Sequence, residues 1–457
     1  MGNRPNILLI VFDQFRADLL EDTPLGRVAQ LPVLRGLMQE AVSFSQHYTV
    51  ATPCGPSRAS LLTAQYAMNH RSVRNGTPLR HDTPNLATEA RRAGYDPLLF
   101  GYTDTTRDPR TLKADDPRLQ TYEEMMPGFT EAVRMRMESD DRIWRDHLAS
   151  KGVHLAPFPD CYRPVGDKLT DPAAYRAEDS DTAFLTDRFI DHARSAAPGW
   201  FATLTYVRPH PPFVAPKPYN RMFDPADMPP PDTTGDDRTW HPFMAPAQDH
   251  KPPAASVEGF PDLDASPETT ATLRSLYLGL CAELDHHIGR IVEMLKETGQ
   301  WDDTVLVVTS DHGEMLGDFG LWGKGTFHEA ALRVPLIVRD PARTSMHGQA
   351  VDVMTQSIDI TPSLLNRMGA DIPHSMDGRS LLPLLQDTQA EMRSESFSEF
   401  DFGNPIAPTD WQTQLDLVTD HANLAVYRDG IYRLVHFGCD LPPILFDMSK
   451  SGERVNL

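Results

Sequence analysis

An α/β fold with a largely parallel sheet is predicted by three observations. Short apolar runs alternate with amphipathic helical patterns over most of the 457 residues. Polar or reactive residues stand directly after several of those runs, where an open parallel sheet gathers its chemistry. Antiparallel alternation begins only after about residue 390.

The strand candidates, in order, are "NILLIVF" (6–12), "VSFSQHYTV" (42–50), "PLLFGY" (97–102), "WFATLTYV" (200–207), "TVLVVTS" (304–310) and "PLIVRD" (335–340). Between them, Thr83 with Pro84 opens "NLATEARRAG" as N-cap and first helical residue, with an end near Gly94. A longer helix starts at a Ser266 cap and sets Leu273, Leu276, Leu280, Leu284 and Ile288 on one stripe, the spacing of a core face. Residues 107–180 and 211–265 are rich in Pro, Asp and Gly and are expected as insertions near the mouth of a site. "NLAVYRDGIYRLVHF" holds two alternating runs around Asp429-Gly430, a hairpin signal. Residues 1–390 are therefore expected as one α/β domain and residues 391–457 as a smaller C-terminal antiparallel β subdomain.

Composition narrows the partners. A formal net charge of -21, with no polybasic run, argues against nucleic acid and against anionic membrane surfaces. An anionic substrate has to be gripped locally. Cys54, Cys161, Cys281 and Cys439 are too few and too widely spaced for a secreted disulfide framework. The opening "MGNRPNILLIVFDQF" pairs a basic residue with an apolar run, but the run is short for a signal segment and no small-residue cleavage site follows, so a buried strand is expected. No stretch approaches the ~20 apolar residues of a membrane span, and the cytoplasm is the expected compartment.

The residues after the strands carry the chemistry. Asp13 follows the first, Tyr102 closes the third, His210 follows the fourth, and Asp311 with His312 follow the fifth; Cys54 comes after the second. Two carboxylates and an imidazole, from Asp13, Asp311 and His312, suit a divalent cation, and the imidazole tilts the choice toward Mn, Fe or Zn, with Ca open. The plainer reading is that each Asp only caps the element that follows. In "ATPCGPSRASLLTAQY", Pro56 suits the first turn of a helix, whose free amides favour an anion, and Arg58 stands within reach of a negatively charged oxygen. Cys54 there reads as a packed thiol, as a thiolate nucleophile, or as the precursor of a modified residue.

The third reading follows from a resemblance. "CGPSRASLLTA" resembles the CxPxR signature of the sulfatase family, in which the cysteine is oxidised to formylglycine, and "SDHGE" and the Asp after the first strand stand in their expected places. The resemblance implies an alkaline-phosphatase-like fold, a mostly parallel sheet flanked by helices, with the catalytic part in residues 1–390. Within that family the chain is most similar to phosphonate monoester hydrolases. "FDQFR" puts Gln14 beside Asp13 where many arylsulfatases have a second Asp, "RSVRNGTPL" supplies Asn75, and "GYTDTT" supplies Tyr102 where arylsulfatases often have Lys. "RPHPPF" and "LWGKGTFHE" supply His210 and Lys324. Two departures stand out: "LLTAQY" replaces "LLTG", and Asp104 occupies a position where a Thr is expected, leaving Thr103 and Thr105 to take over its contact. A buried carboxylate there repels an anion unless a cation offsets it, and Asp104 is therefore a candidate partner for a cationic leaving group. The chain ends at "GERVNL", short of the tail these hydrolases use in oligomer contacts; their tetramer is not carried over, and a homo-oligomer stays open.

The resemblance implies the following roles. Asp13, residue 54, Asp311 and His312 hold one divalent metal ion, Mn first with Ca, Zn or Fe as alternatives, and Gln14 completes or supports that shell. Formylglycine made from Cys54 by a maturation enzyme attacks the phosphorus or sulfur of a small anionic ester as its hydrate, steadied by Arg58. His210 and Lys324 neutralise charge and protonate the leaving oxygen, while Gln14, Asn75, Tyr102, Asp104 and Thr105 contact substrate. The second step breaks a carbon–oxygen bond whichever group was transferred, so phosphonate monoesters, phosphodiesters and sulfate monoesters are all expected substrates, and dianionic phosphate monoesters poorer ones. The alternatives are an arylsulfatase-type sulfuric ester hydrolase and, from another class, a noncatalytic anion-binding protein that keeps Cys54 unmodified.

Overall fold

A computed structural model describes residues 4–457, so the first three residues of the opening stretch lie outside it. In chain order the strands of the large sheet are β1 Asn6–Asp13, β2 Val42–Phe44, β5 Pro97–Gly101, β6 Thr130–Arg134, β7 Phe201–Pro209, β8 Thr304–Ser310, β9 Leu336–Arg339 and β10 Ala350–Val351. The short pairs β3 His47–Tyr48 with β11 Thr355–Gln356, and β4 Ala51–Thr52, lie between. A second sheet holds β12 Ser396–Asp401, β13 Asn423–Arg428, β14 Tyr432–Phe437 and β15 Ile444–Asp447.

The large sheet runs in the order β10-β2-β9-β8-β1-β7-β5-β6, and its centre is parallel. β1 is buried along its whole length and alternates its side chains between two cores. Leu8, Ile10 and Phe12 pack on one face against the long helix Pro267–Glu297 and the helix Asp181–Ala193. Ile7, Leu9 and Val11 pack on the other against Leu61, Leu86 and Leu364. Burial on both faces is why these strands read as continuous apolar runs. Ser266 caps the long helix as expected, accepting from the Thr269 N–H. This is the expected α/β layering, with helices on both sides of a mostly parallel sheet.

Four details depart from the sequence reading. "PLIVRD" forms β9, which runs antiparallel to both β8 and β2; the link from β8 holds only the short helices Asp318–Gly320 and Glu329–Leu332 and no crossover helix packed across the sheet. "VSFSQHYTV" is not one strand: after Phe44 the polar pair Ser45-Gln46 turns away, and the run is divided between β2 and β3, with β4 just beyond its end. The helix near residue 85 spans Leu86–Arg92 and is capped by Asn85, not Thr83; the Asn85 side chain accepts from Ala87 and Thr88 N–H groups while the Thr88 hydroxyl takes the Asn85 N–H. Inside the 107–180 stretch, "TEAVR" forms β6 and extends the sheet beyond β5, an edge too short and too charged to read as a strand.

The C-terminal sheet has the order β15-β14-β13-β12-β4, with the hairpin around Asp429-Gly430 as its β13–β14 turn. Its last member, β4, comes from the residues just before Cys54 and pairs in parallel with β12. The segment leading into the Cys54 helix is thus fixed by both sheets. Among the described residues no helix is long and apolar enough to cross a membrane.

The end of β5 is unusually crowded. Gly101 has φ +114, and a Cβ there would lie 2.3 Å from Thr205 Oγ1 and 2.4 Å from the Thr205 carbonyl oxygen. Only glycine fits that left-handed backbone at such a close approach. Gly101→Ala is expected to lower the unfolding free energy by about 2 kcal/mol or more, read as a lower urea midpoint with an unchanged m-value.

Candidate active site

Strand register builds the site. Phe12 of β1 lies opposite Ser310 of β8, so Asp13 and Asp311 emerge side by side at the carboxyl end of the sheet. The Ser310 hydroxyl bonds to the Phe12 carbonyl at 3.0 Å, and the Asp311 N–H donates to the same oxygen at 3.2 Å. Asp13 also lies opposite Pro209 of β7, which brings His210 to the same level. On β5, Tyr102 follows Gly101, and its N–H donates to Thr205 Oγ1 at 2.8 Å. Four neighbouring strands thus deliver the predicted residues to one rim.

The helix Cys54–Thr63 completes it from above and is buried throughout. The Ser57 hydroxyl donates to the Asp311 carbonyl at 2.5 Å, tying the helix to the end of β8. One turn in, Arg58 reaches back between the carboxylates: Nε donates to Asp311 Oδ2 at 2.9 Å and Nη2 to Asp13 Oδ2 at 3.0 Å. The Tyr102 hydroxyl donates to Asp13 Oδ2 at 2.6 Å, and its ring lies 4.2 Å from the guanidinium carbon. Gly55 has room for no side chain, since a Cβ would lie 2.8 Å from Asn75 Oδ1; that oxygen instead accepts the Gly55 N–H at 2.9 Å. Asn75 therefore satisfies an open amide of the helix start while its NH2 group remains free to meet a ligand.

Asp13, Cys54, Asp311 and His312 each offer one ligand atom, and the four atoms lie within 4.8 Å of one another. The His312 Nδ1–H faces the Gly313 carbonyl at 3.0 Å, which turns a bare Nε2 toward the cluster. Burial, then Lys324, holds this imidazole well below its ordinary pKa, so it is neutral, the form that ligates. Burial pushes Asp311 up to about 7 with help from Asp13, whereas Arg58, Lys324 and His312 outweigh burial at Asp13 and hold it low. Two carboxylates, an imidazole and the atom borne by residue 54 make a donor set that fits a divalent cation. Burial, then the Asp13 carboxylate, raises the Cys54 thiol well above its usual range, which disfavours the thiolate reading.

Gln14 stands next to Asp13 with φ 75. Its N–H donates to Asp311 Oδ1 at 3.0 Å, its NH2 group bonds Glu314, and its Oε1 accepts from Lys324 Nζ at 2.5 Å. Burial works against the charge of Lys324, but Cys54, Asp13 and Asp311 outweigh it and raise its pKa. His210 donates from Nδ1 to the Pro211 carbonyl at 2.6 Å, and burial with Lys324 and Lys251 holds it neutral. Its Nε2 is then an acceptor, and a bound anion is needed to restore the imidazolium.

Asp104 turns inward: Oδ2 lies 3.5 Å from Arg58 Nε, at φ 48, and burial with the Asp13 charge pushes its pKa well up. Its side chain is thereby partnered with Arg58 inside the site, not left free at the pocket surface. The Thr105 hydroxyl pairs with that of Thr103 at 2.9 Å, and both residues are tied to the Glu124–Met126 backbone. Neither hydroxyl contacts the four-residue cluster. Two residues escaped the sequence reading. Glu314, the last letter of "SDHGE", organises Gln14 and accepts the Leu316 and Gly323 N–H groups at 3.0 and 2.6 Å. Lys251, from the Pro-rich stretch 211–265, sits beside Gly323; a lone Lys in "DHKPP" carries no pattern that marks it.

Known proteins match this arrangement closely. The sulfatase family model matches residues 5–370, and a model for the C-terminal part of N-sulphoglucosamine sulphohydrolase matches residues 317–447. The structure superposes on the phosphonate monoester hydrolase from Silicibacter pomeroyi with a TM-score of 0.95 and 52% identity, covering 99% of this chain and 91% of that one. The phosphonate monoester hydrolase of Agrobacterium radiobacter gives 0.92 and 39% over the same shares. A multifunctional alkaline phosphatase superfamily protein of Trinickia caryophylli is 39% identical over 97% of this chain and 89% of its own length. With its signature helix, its paired strand-end carboxylates and relatives this similar over nearly its whole length, the chain belongs to the sulfatase family of the alkaline phosphatase superfamily and is an enzyme.

Proposed function

We propose that this enzyme hydrolyses phosphonate monoesters and phosphodiesters, with sulfate monoesters as further substrates, using formylglycine made from Cys54. The observation that carries the reading is the convergence of Asp13, Cys54, Asp311 and His312 beneath Arg58 at the start of the signature helix. A divalent ion held there, Mn²⁺ first, would acidify an oxygen on residue 54 and offset the two carboxylates. Asp13 and Asp311 are kept in register for it by Arg58, and His312 by the Gly313 carbonyl. Lys324, charged and hydrogen-bonded to Gln14, gives the transferred group a fixed positive partner. Asn75 directs its free NH2 group to a nonbridging oxygen. His210 takes a proton when an anion enters and can pass it to the leaving oxygen.

Gln14 and Tyr102, standing where many arylsulfatases have Asp and Lys, favour this reading over the sulfatase alternative, and relatives with solved structures bear the name phosphonate monoester hydrolase. A formylglycine-generating enzyme is the implied maturation partner.

Active protein digested with trypsin is expected to carry an aldehyde at residue 54 by peptide mass, and aryl phenylphosphonate is expected to exceed the matched aryl sulfate in kcat/KM. Sulfur retained at residue 54 in fully active protein, or a faster sulfate, overturns the respective half of this reading. Metal binding has a defined pH dependence. Asp311, at about 7 before metal binds, must lose its proton to ligate; apparent Mn²⁺ affinity should therefore rise as pH climbs toward about 7 and level off above it. Calorimetry near pH 6 in buffers of different protonation heat is expected to read release of about one proton per ion bound.

A further inference from the structure

One cation in the site is uncommitted. Lys251 follows the helix Met244–His250 and extends over Gly323, where an ideal Cβ would lie 2.8 Å from its Cδ and 3.3 Å from its Nζ. Gly323 has φ +77, so a left-handed glycine leaves the space that the lysine fills. Among the described residues Lys251 makes neither an ion pair nor a hydrogen bond, unlike Lys324, which donates to Gln14. The two ammonium groups repel: burial and then Lys324 bring Lys251 down to about 8, while Glu314, Cys54 and Asp13 act the other way. Both lysines also bear on His210. Two like charges beside one pocket, in a chain of net charge -21, are most favourable with an anion between them.

Glu314 and Glu138 act on both lysines without bonding either, and the remaining charges around the cluster are paired. Arg58 is divided between Asp13 and Asp311, and a divalent ion held by the same two carboxylates would leave about one positive charge there, to be offset by the ionised oxygen of residue 54. A monoanionic group is then satisfied by Lys324. The second negative charge of a phosphate monoester finds its free partner in Lys251.

We propose that Lys251 is a specificity-determining residue that sets the charge the pocket accepts, supplying the second ammonium for a dianionic transferred group. This rests on the reading of the site as an anionic-ester hydrolase, and it revises the expectation that phosphate monoesters are poor substrates, which rested on Gln14 and Tyr102 making the pocket less positive.

The test compares wild type, Lys251→Gln and Lys251→Arg on an aryl phosphate monoester and on the matched aryl phenylphosphonate at about pH 7, where a phosphate monoester is mostly dianionic. Lys251→Gln is expected to lose about 10- to 100-fold more kcat/KM on the dianion than on the monoanion, and Lys251→Arg to keep most of the difference. Equal losses on both esters, or an Arg variant no better than Gln, overturn the proposal. Calorimetric binding of inorganic phosphate against dimethyl phosphate decides it without turnover. If wild type hydrolyses neither ester, the hydrolase reading fails, and a selective loss of phosphate binding in Lys251→Gln still supports Lys251. Equal loss of both ligands overturns the role of Lys251 alone.

Discussion

The site depends on one buried guanidinium. Asp13 and Asp311 are both almost fully buried, and two carboxylates within ligand distance of one ion repel when that ion is absent. Arg58, itself 2% exposed, spans the pair with separate nitrogens and offers Asp104 and the Tyr102 ring its remaining faces. Its fork geometry matters more than its charge, because an ammonium could not bond both carboxylates along fixed directions. Removing the guanidinium would leave the buried carboxylates with only the neutral donors Tyr102 and Gln14 bonded to them, and loss of the ionic partner costs roughly 3–5 kcal/mol in comparable buried pairs. The residue that would steady the nucleophile is therefore also the one that allows the metal ligands to exist together.

That arrangement is possible because backbone register does most of the positioning. Residues from β8, β1, β7 and β5 arrive at one rim without long side chains having to search for one another, and the Cys54 helix is pinned to the end of β8 by Ser57. Its N-terminal approach is held from outside by the pairing of β4 with β12. Rigid elements on both sides give the preorganisation that electrostatic catalysis needs.

The large sheet was legible because its strands are buried on both faces: uninterrupted apolar runs ended by Asp13, Tyr102, His210 and Asp311 have few other interpretations. The paired carboxylates of the cluster were legible for the same reason, since a carboxylate at a strand end lies where the chain must leave the sheet. What stayed hidden depends on contacts distant in sequence. β9 reverses direction after a link that holds no crossover helix, and "VSFSQHYTV" is split by partners supplied from residues 350–356 and 396–401. The place of Asp104 could not be read: its type suggests a charge facing the pocket, while the fold buries it against Arg58, and that burial pushes its pKa up. Lys251 was invisible because a lysine in a Pro-rich connection looks solvated until the fold brings Gly323 against it.

The charge at position 14 decides what the rest of these groups can do. Gln14 presents its carbonyl oxygen to Lys324 and its NH2 group to Glu314, so the amide orients the lysine and leaves its charge intact. A carboxylate there, as in many arylsulfatases, would pair with Lys324 directly and add a third negative ligand to the cluster. The pocket would then owe its attraction for anions more to the metal ion and less to the lysines. With an amide, two ammonium groups keep their positive field directed into the pocket, and the transferred group meets a balance of charge fixed by side chains. On the proposed function, substrate charge would be sensed through Gln14, Lys324 and Lys251 together, while Asp13, Asp311, His312 and Arg58 would hold a geometry that need not change with the ester being cleaved.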